Sequence, residues 1–243
     1  MSLSRRHLIT SAAAAPLLSA YAEGTSNPLL PRLKVVVTGG HPGDPECGCA
    51  GTIARYTDLG HEVVILYLNR GEGFCGGASL SRCGAIRTAE ALKACEILKA
   101  RAAFAGQYDS RPIVDYSHYE AFDKLLDSER PDVVFTQWPI DNHRDHRAIS
   151  MLTLDAWLKG GKKSAYYYYE VAEDTMMFSP AEYVDISAVE ARRHAACYAH
   201  ASQAPEKWYP KQVEITRFRG TQSGFSQAEA FTRHWESKSS ILP

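Results

Sequence analysis

Short apolar segments alternate with amphipathic ones along most of this chain, and this alternation limits the folds that the chain can adopt. The run KVVVT at 34–38 is apolar and β-branched, as in a strand that is covered on both faces. A helix-periodic stretch follows it and ends at Gly60, and a second strand is expected over 62–68. Parallel strands need a crossover helix between them, which this order supplies. The sequence therefore predicts an α/β fold.

The same pattern continues toward the carboxyl end of the chain. Further helices are expected near 85–99, 119–128, 145–160 and 189–201, and further strands near 102–105, 132–137 and 166–171. No internal repeat and no low-complexity linker divides the sequence. We expect a single Rossmann-like domain with a mostly parallel sheet and helices on both faces.

Composition excludes two classes of function. The 243 residues carry a formal net charge of -1, and no basic stripe favours nucleic-acid binding. No uninterrupted apolar run approaches the roughly 20 residues of a membrane-spanning helix. We therefore expect neither a nucleic-acid partner nor an integral membrane segment.

Residues 1–22 have the features of an export signal. Arg5 and Arg6 precede a modest apolar stretch over 8–18 and the sequence Ala20-Tyr21-Ala22. A positive start, a short apolar middle and small residues two apart are typical of a twin-arginine signal. This predicts a signal at 1–22, a domain at 23–243 and an exported, periplasmic protein. The alternative is a cytosolic protein with an amphipathic start.

The six cysteines do not form paired C-x-x-C motifs, so a structural zinc ribbon is not expected. Cys75 and Cys83 flank a glycine-rich loop and can pair in an oxidising compartment.

Two polar segments follow predicted strands. HPGDPE at 41–46 comes after the first strand, and DNHRDH at 141–146 comes after the strand that ends at Gln137. In open α/β sheets, ligands bind beyond the carboxyl ends of the strands. Two histidines and one carboxylate with open positions are typical of a catalytic zinc site. The spacing alone leaves open that these are surface or helix-capping residues, as for Asp145.

Longer motifs resolve this ambiguity. GGHPGDPECGCAGTIARY at 39–56 resembles the opening of the PIG-L/LmbE-like family of metal-dependent N-deacetylases. Further matching pieces follow in order over about 33–205: Arg70-Gly-Glu72, Arg87-x-x-Glu90, His143-x-Asp145-His146, Val184-Asp-Ile-Ser187 and His200-Ala-Ser-Gln203.

The resemblance implies a role for five residues. His41, Asp44 and His146 stand where the family has its zinc ligands, which implies one Zn²⁺ per chain. His143 stands where the family has a histidine that stabilises the oxyanion and can protonate the departing amine. Asp145 stands where a carboxylate orients that histidine.

Four more residues are predicted to contact the substrate. The resemblance makes Arg87 and Glu90 part of the wall of the site, although an internal ion pair between them is equally compatible with their spacing. Asp109 lies in a loop that faces the site in similar proteins, and its alternative role is a turn residue. Trp138, directly after the fourth strand, is a candidate for stacking on a sugar.

One position departs from the family. The usual general base is an aspartate at the position of Gly43, and loss of a positioned base costs about 10²–10⁴-fold in rate. Three explanations remain open. Glu46 serves as the base, or His143 and Asp145 handle the protons without one, or the chain has kept the metal and lost hydrolysis.

The expected function is zinc-dependent removal of an N-acetyl group from an N-acetylglucosamine-type amino sugar or its conjugate. The metal would lower the pKa of water and polarise the amide carbonyl. The alternative is a catalytically impaired, metal-containing carbohydrate-binding protein. A deacylase for a non-sugar amide is a further option. The partner is expected to be a small-molecule or glycan substrate, and a homo-oligomer is left open.

Overall fold

The computed structural model describes residues 31–73, 75–239 and 242–243. The predicted signal at 1–22 lies outside these residues. The strands are β1 Lys34–Gly39, β2 Glu62–Tyr67, β3 Arg101–Phe104, β4 Val133–Gln137, β5 Ala165–Tyr169, β6 Glu182–Asp185 and β7 Ala228–Arg233. The helices are α1 Asp44–Asp58, α2 Leu80–Leu98, α3 Tyr116–Glu129, α4 Arg144–Lys159, α5 Glu190–Tyr198 and α6 Pro205–Ser223.

The strands form one sheet in the order β3-β2-β1-β4-β5-β7-β6. β1 pairs in parallel with β2 and β4, and β2–β3 and β4–β5 are also parallel. β7 runs antiparallel to both β5 and β6 at one edge. The predicted α/β fold with a mostly parallel sheet is therefore confirmed, and residues 32–243 form one compact unit.

The apolar core lies on both faces of the sheet. Val35 and Val37 of β1 face one side, where they pack with buried residues of α1, α2 and α5. Val36 faces the other side, where it packs with α3 and α4. Successive side chains of a strand point to opposite faces, so a continuous apolar run is what a doubly covered strand requires. Tyr166–Tyr169 are all buried in β5 for the same reason.

Two further features bear on the sequence analysis. Cys75 and Cys83 form a disulfide, whereas the other four cysteines are free and buried. Within the described part of the chain, no helix has both the length and the apolarity needed to cross a membrane.

The order of the sheet decides where function can lie. β1 and β4 are neighbours, although about a hundred residues separate them in sequence. Their carboxyl ends therefore bring segments 41–46 and 141–146 to the same edge of the sheet. β2, β3 and β5 add the loops that follow them to this edge.

Candidate functional site

The turn between β1 and α1 is tightly packed against α4. A Cβ atom on Gly40 would lie 3.0 Å from His146 Cδ2 and 3.2 Å from Asp44 Oδ2. A Cβ atom on Gly39 would lie 2.6 Å from Pro45 Cγ. Glycine at these positions therefore lets the start of α1 approach the start of α4 closely enough for their side chains to meet.

The three residues that the resemblance identifies as ligands lie together at this point. Asp44 Oδ2 lies 3.0 Å from His41 Nδ1 and 3.1 Å from His146 Nε2. The backbone N–H of His41 donates to the same oxygen over 2.8 Å. Both histidines are buried, and Asp44 is only partly exposed. One carboxylate oxygen thus lies between two imidazole nitrogens.

The second ring nitrogen of each of these histidines faces another carboxylate. His41 Nε2 lies 3.0 Å from Asp145 Oδ2, and His146 Nδ1 lies 3.0 Å from Asp141 Oδ1. Metal-binding histidines nearly always place their other nitrogen on a carboxylate, carbonyl or water, which orients the ring and raises its basicity. The donor types and their carboxylate supports therefore fit a metal ion.

Two groups among the described residues bring three potential ligand atoms within 4.8 Å of one another. One is His41, His143 and His146, and the other is His41, Asp109 and Asp145. His41 is common to both, and the His143 ring lies 4.6 Å from the His41 ring between centroids. A metal bound at His41 would therefore lie within a dense set of nitrogen and oxygen donors.

The carboxylates strongly perturb the pKa values of the histidines. Burial lowers the pKa of His146, but Asp44 and Asp141 outweigh it and raise the pKa to about 9. Burial also lowers the pKa of His41, and the nearby carboxylates, Asp44 first, outweigh it and raise that pKa well above its ordinary value. The pKa of Asp44 is lowered, because His146 and His41 overcome the effect of its burial. We call the three histidines His41, His143 and His146, together with Asp44, the cluster. The cluster and its supporting carboxylates therefore favour positive charge, whether from protons or from a cation.

His143 begins α4 as its N-cap. Its Nδ1 accepts the backbone N–H of Asp145 over 3.2 Å, which leaves Nε2 to carry the hydrogen of the neutral ring. Burial lowers the pKa of His143, and the neighbouring His41 and His146 lower it further. The ring is therefore kept neutral with an N–H group available for donation.

Asp145 does not occupy the position expected for it. Its carboxylate contacts His41, not His143, and Oδ2 also accepts the side-chain amide of Asn69 and the backbone N–H of Ser110, each over 2.8 Å. Only the backbone of Asp145 touches His143. These donors lie on the loops after β2 and β3, and they draw the carboxylate into the interior and away from the His143 ring.

Glu46 is also placed differently from its predicted role as base. The side chain is fully buried, Oε2 accepts the backbone N–H of Gly43 over 3.0 Å, and Oε1 accepts the hydroxyl of Tyr67 over 2.5 Å. His200 Nε2 lies 3.2 Å from Oε1. One oxygen of Glu46 thus caps the start of α1, and the other ties Glu46 to β2.

Gly43 itself adopts a conformation that other residues rarely take. Its φ is 110° and its ψ is −33°, immediately before α1. A Cβ atom here would meet only His200, whose Cγ lies 3.8 Å away. Glycine at the position of the family's aspartate therefore fits the backbone conformation of this turn, which a residue with a Cβ atom would adopt only with strain.

Two of the four predicted substrate residues, Arg87 and Asp109, lie at the site. Arg87 donates to the backbone carbonyls of Gly71 and Pro42 and lies at the site. Asp109 Oδ1 lies 3.4 Å from His41 Nε2, and the pKa of Asp109 is lowered because His41 and hydrogen bonds outweigh its burial.

The other two predicted substrate residues, Glu90 and Trp138, do not contact the cluster. Glu90 accepts both the backbone N–H and the hydroxyl of Ser202, each over 2.7 Å, and thereby fixes the HASQ segment. It is not paired with Arg87, so the proposed internal ion pair is not formed either. Trp138 donates to the Met176 carbonyl and packs edge-on against Tyr168. These contacts hold its ring beside the end of β5, and Trp138 does not line the site.

Two adjoining cavities meet at the cluster. The polar cavity, about 300 Å³ in volume, is lined by the three histidines together with Asp109 and Ser110. The second cavity, about 230 Å³, extends past Gly43 to Cys47, Val171, His200 and Trp208. Four residues line both cavities: Asp44, Arg87, Asp174 and Gln203.

Asp174 was not identified from the sequence. It lies five residues beyond the end of β5, at the same edge of the sheet as the other site residues. The rule that ligands bind beyond the carboxyl ends of strands could have identified it, but no motif marks it.

The chain is similar to a known family and to several known proteins. Residues 36–157 match the model of the family described as PIG-L, GlcNAc-PI de-N-acetylase. A diacetylchitobiose deacetylase from Thermococcus kodakarensis is 28% identical over 226 residues, which cover 81% of each chain.

Two solved structures are also similar. The conserved protein TT1542 from Thermus thermophilus is 28% identical with a TM-score of 0.75, over 86% of this chain and 97% of that one. The N,N'-diacetylchitobiose deacetylase from Pyrococcus horikoshii, complexed with its inhibitor MPG, shares the fold at 24% identity with a TM-score of 0.76, over 86% of each chain.

Proposed function

Because the chain belongs to the PIG-L family of de-N-acetylases, we propose that it is a zinc-dependent N-deacetylase acting on an N-acetylglucosamine-type amino sugar or its conjugate. The observation that carries this proposal is the group of His41, Asp44 and His146, in which each histidine is supported by a further carboxylate. This group lies where two cavities meet at the carboxyl ends of the strands.

His41, Asp44 and His146 would hold the metal. Two imidazoles and one carboxylate with positions left for water are the donor set of hydrolytic zinc sites. When bound, zinc supplies Lewis acidity that polarises a carbonyl oxygen and lowers the pKa of water. Asp145 and Asp141 orient the two histidine ligands from behind.

His143 would stabilise the negative charge that develops on the amide oxygen. Its Nδ1 is occupied by a backbone N–H, so Nε2–H is free to donate. The lowered pKa of His143 keeps this donor as a neutral imidazole. A donor that is already oriented stabilises the oxyanion without reorganisation during the reaction.

The polar cavity would bind the sugar. Asp109 and Ser110 line it beside the three histidines, and Arg87 lies at its junction with the second cavity. Carboxylate, hydroxyl and guanidinium groups suit the hydroxyl-rich surface of an amino sugar. The Thermococcus relative, named as a diacetylchitobiose deacetylase, supports this substrate class.

Export remains part of the proposal and depends on the sequence of residues 1–22. The Cys75–Cys83 disulfide is consistent with it, because disulfides persist in oxidising compartments such as the periplasm.

A second candidate function is carbohydrate binding without turnover. Gly43 offers no carboxylate, and Glu46 accepts hydrogen bonds from the backbone of Gly43 and from Tyr67. These two observations favour a protein that kept its metal and lost its base.

Acetate release distinguishes the two functions. Zinc-loaded protein would be incubated with N-acetylglucosamine and diacetylchitobiose, with an N-acetylated amino acid as the non-sugar amide. We expect acetate from the sugars alone, and none from the His146→Ala variant, which lacks a ligand. His118→Ala, at a position on α3 remote from the cavities, is the matched control and should match the wild type. Sugar binding in calorimetry without any acetate release would instead establish the binding function.

A further inference from the structure

The proposed reaction needs a group that accepts a proton from the attacking water. The position that supplies this base in the family is Gly43, and Glu46 has both oxygens engaged away from the cavities. The base must therefore come from elsewhere in the chain, and it must face the space beside Asp44.

Most carboxylates near the two cavities are already engaged. Asp44 contacts both histidine ligands. Asp109 accepts from the backbone N–H of Gly73 and from the Ser110 hydroxyl. Glu173, at the outer rim, pairs with Lys211.

Asp174 differs from these three. It lines both cavities, and no hydrogen bond or ion pair with the described residues engages its carboxylate. It is partly exposed, so water can reach it. Asp174 is therefore a residue that lines both cavities and whose carboxylate is not engaged by the described residues.

The backbone around Asp174 is held to the segment that carries the metal-site histidines. The carbonyl of Asp174 accepts the N–H of Asn142 over 2.8 Å. Its neighbour Thr175 forms an antiparallel bridge with Asp141, and the Thr175 hydroxyl donates to Asp141 Oδ2 over 3.1 Å. Since Asp141 also holds His146, the position of Asp174 is linked to that of a ligand through Thr175 and Asp141.

The charges around Asp174 suit a proton acceptor. Burial raises the pKa of Asp174, and Asp141 and Asp44 raise it further, whereas His146 and His143 lower it. The net shift is upward, toward the pH at which the enzyme would work. A general base is most effective when its pKa is near the operating pH.

On the premise of the proposed deacetylase function, we propose that Asp174 is the general base, in place of the aspartate that is absent at position 43. The water oxygen forms a bond to the amide carbon while one of its protons passes to the Asp174 carboxylate. The C–N bond then breaks, and its electron pair takes the proton from Asp174. The products are the carboxylic acid and the free amine, and Asp174 returns to its ionised form.

The test compares Asp174→Asn with Glu173→Gln, both as zinc-loaded full-length protein. Glu173 is the neighbouring carboxylate on the same loop, so its variant removes a similar charge at the outer rim. We expect Asp174→Asn to lower kcat/KM for diacetylchitobiose by about 10²–10⁴-fold, with unchanged zinc content and thermal midpoint. Glu173→Gln should stay within about threefold of the wild type, an effect expected of a rim charge that is screened by solvent.

Two further measurements separate a base from a structural residue. With zinc held at a saturating concentration at every pH, the acidic limb of the wild-type pH profile of kcat/KM should be absent in Asp174→Asn, because the group that titrates there has been removed. Added formate should partly restore activity to Asp174→Ala by supplying a carboxylate in the vacated space, and should not stimulate the wild type.

Several results would overturn the proposal. If Asp174→Asn keeps activity within threefold of the wild type, Asp174 is not the base, and the proposed deacetylase function stands. If activity is lost together with zinc, or if the acidic limb persists and formate restores nothing, the role of Asp174 is structural. If wild-type protein releases no acetate from any N-acetylated sugar, both this inference and the proposed function are wrong.

Discussion

Replacement of Gly43 by alanine measures the backbone strain that a side chain would introduce into the turn that precedes α1. The residue has a φ of 110°, in a region that side chains with a Cβ atom rarely adopt. A Cβ atom there would meet nothing closer than His200 Cγ at 3.8 Å, which is an ordinary van der Waals distance. The Gly43→Ala variant therefore adds backbone strain without adding a clash.

The expected loss of stability follows from two opposing effects. Strain in such a conformation costs about 1–3 kcal/mol. Alanine also restricts the unfolded chain, which returns about 0.4–1 kcal/mol. We expect the free energy of unfolding of Gly43→Ala to fall by about 1–2 kcal/mol, and its thermal midpoint to fall by about 2–8 °C.

Urea unfolding in the presence of a chelator measures this change. Metal must be removed from both proteins, because a ligand that binds only the folded state adds its own stabilisation. The urea midpoint should fall while the slope of the transition stays the same. Gly60→Ala is the matched control, since Gly60 has a φ of 82°, no atom within 4 Å of its Cβ position, and a place remote from the cavities.

The reasoning is refuted if Gly43→Ala is as stable as the wild type while Gly60→Ala loses about 1 kcal/mol. In that case the turn before α1 does not adopt the left-handed conformation. The same strain applies to Gly43→Asp, so restoring the family's aspartate should lower the free energy of unfolding by a similar amount.

Three further predictions test the site and its surroundings. Glu46→Ala should lower the free energy of unfolding in urea by about 1–3 kcal/mol for each buried donor left without an acceptor, and Glu46→Gln should lower it less. Zinc affinity, measured by competition with a coloured chelator, should rise by more than about tenfold per pH unit from pH 6 to 8. His146, whose pKa is about 9, is protonated there, and the pKa of His41 is also raised, so both ligands must release protons to bind metal; a flat profile would contradict this. Replacing Cys75 and Cys83 by serine should cost about 2–3 kcal/mol, because the short loop is no longer closed in the unfolded chain; equal stability of the reduced and oxidised proteins would contradict this.

The strands predicted from apolar runs are present and pair in parallel. β1 and β2 are each a continuous buried run, and such runs identify strands with a helix layer on both sides. The antiparallel edge was not predicted. β6 has only four residues, β7 is mixed in composition, and the two become strands by pairing with each other and with β5. Strands of this kind depend on tertiary context more than on intrinsic propensity.

The closeness of His41 and His146 at one edge of the sheet was also predictable. His41 and His146 follow strands that an α/β sheet places side by side, so their proximity follows from the order of the elements. The contacts of the carboxylates were not predictable. The family resemblance implied that the Asp145 carboxylate orients His143. The Asp145 carboxylate instead contacts His41, 104 residues away.

The sequence by itself determined that this is an α/β domain and which kinds of side chain meet at one edge of its sheet. Hydrophobic periodicity depends on neighbours in the chain, so it can be interpreted without the fold. Only the tertiary structure decided that Glu46 supports the start of α1, that Glu90 holds Ser202, and that Asp174 lines both cavities. The direction of a side chain depends on donors and packing contributed by distant segments, and those are assembled only when the chain folds.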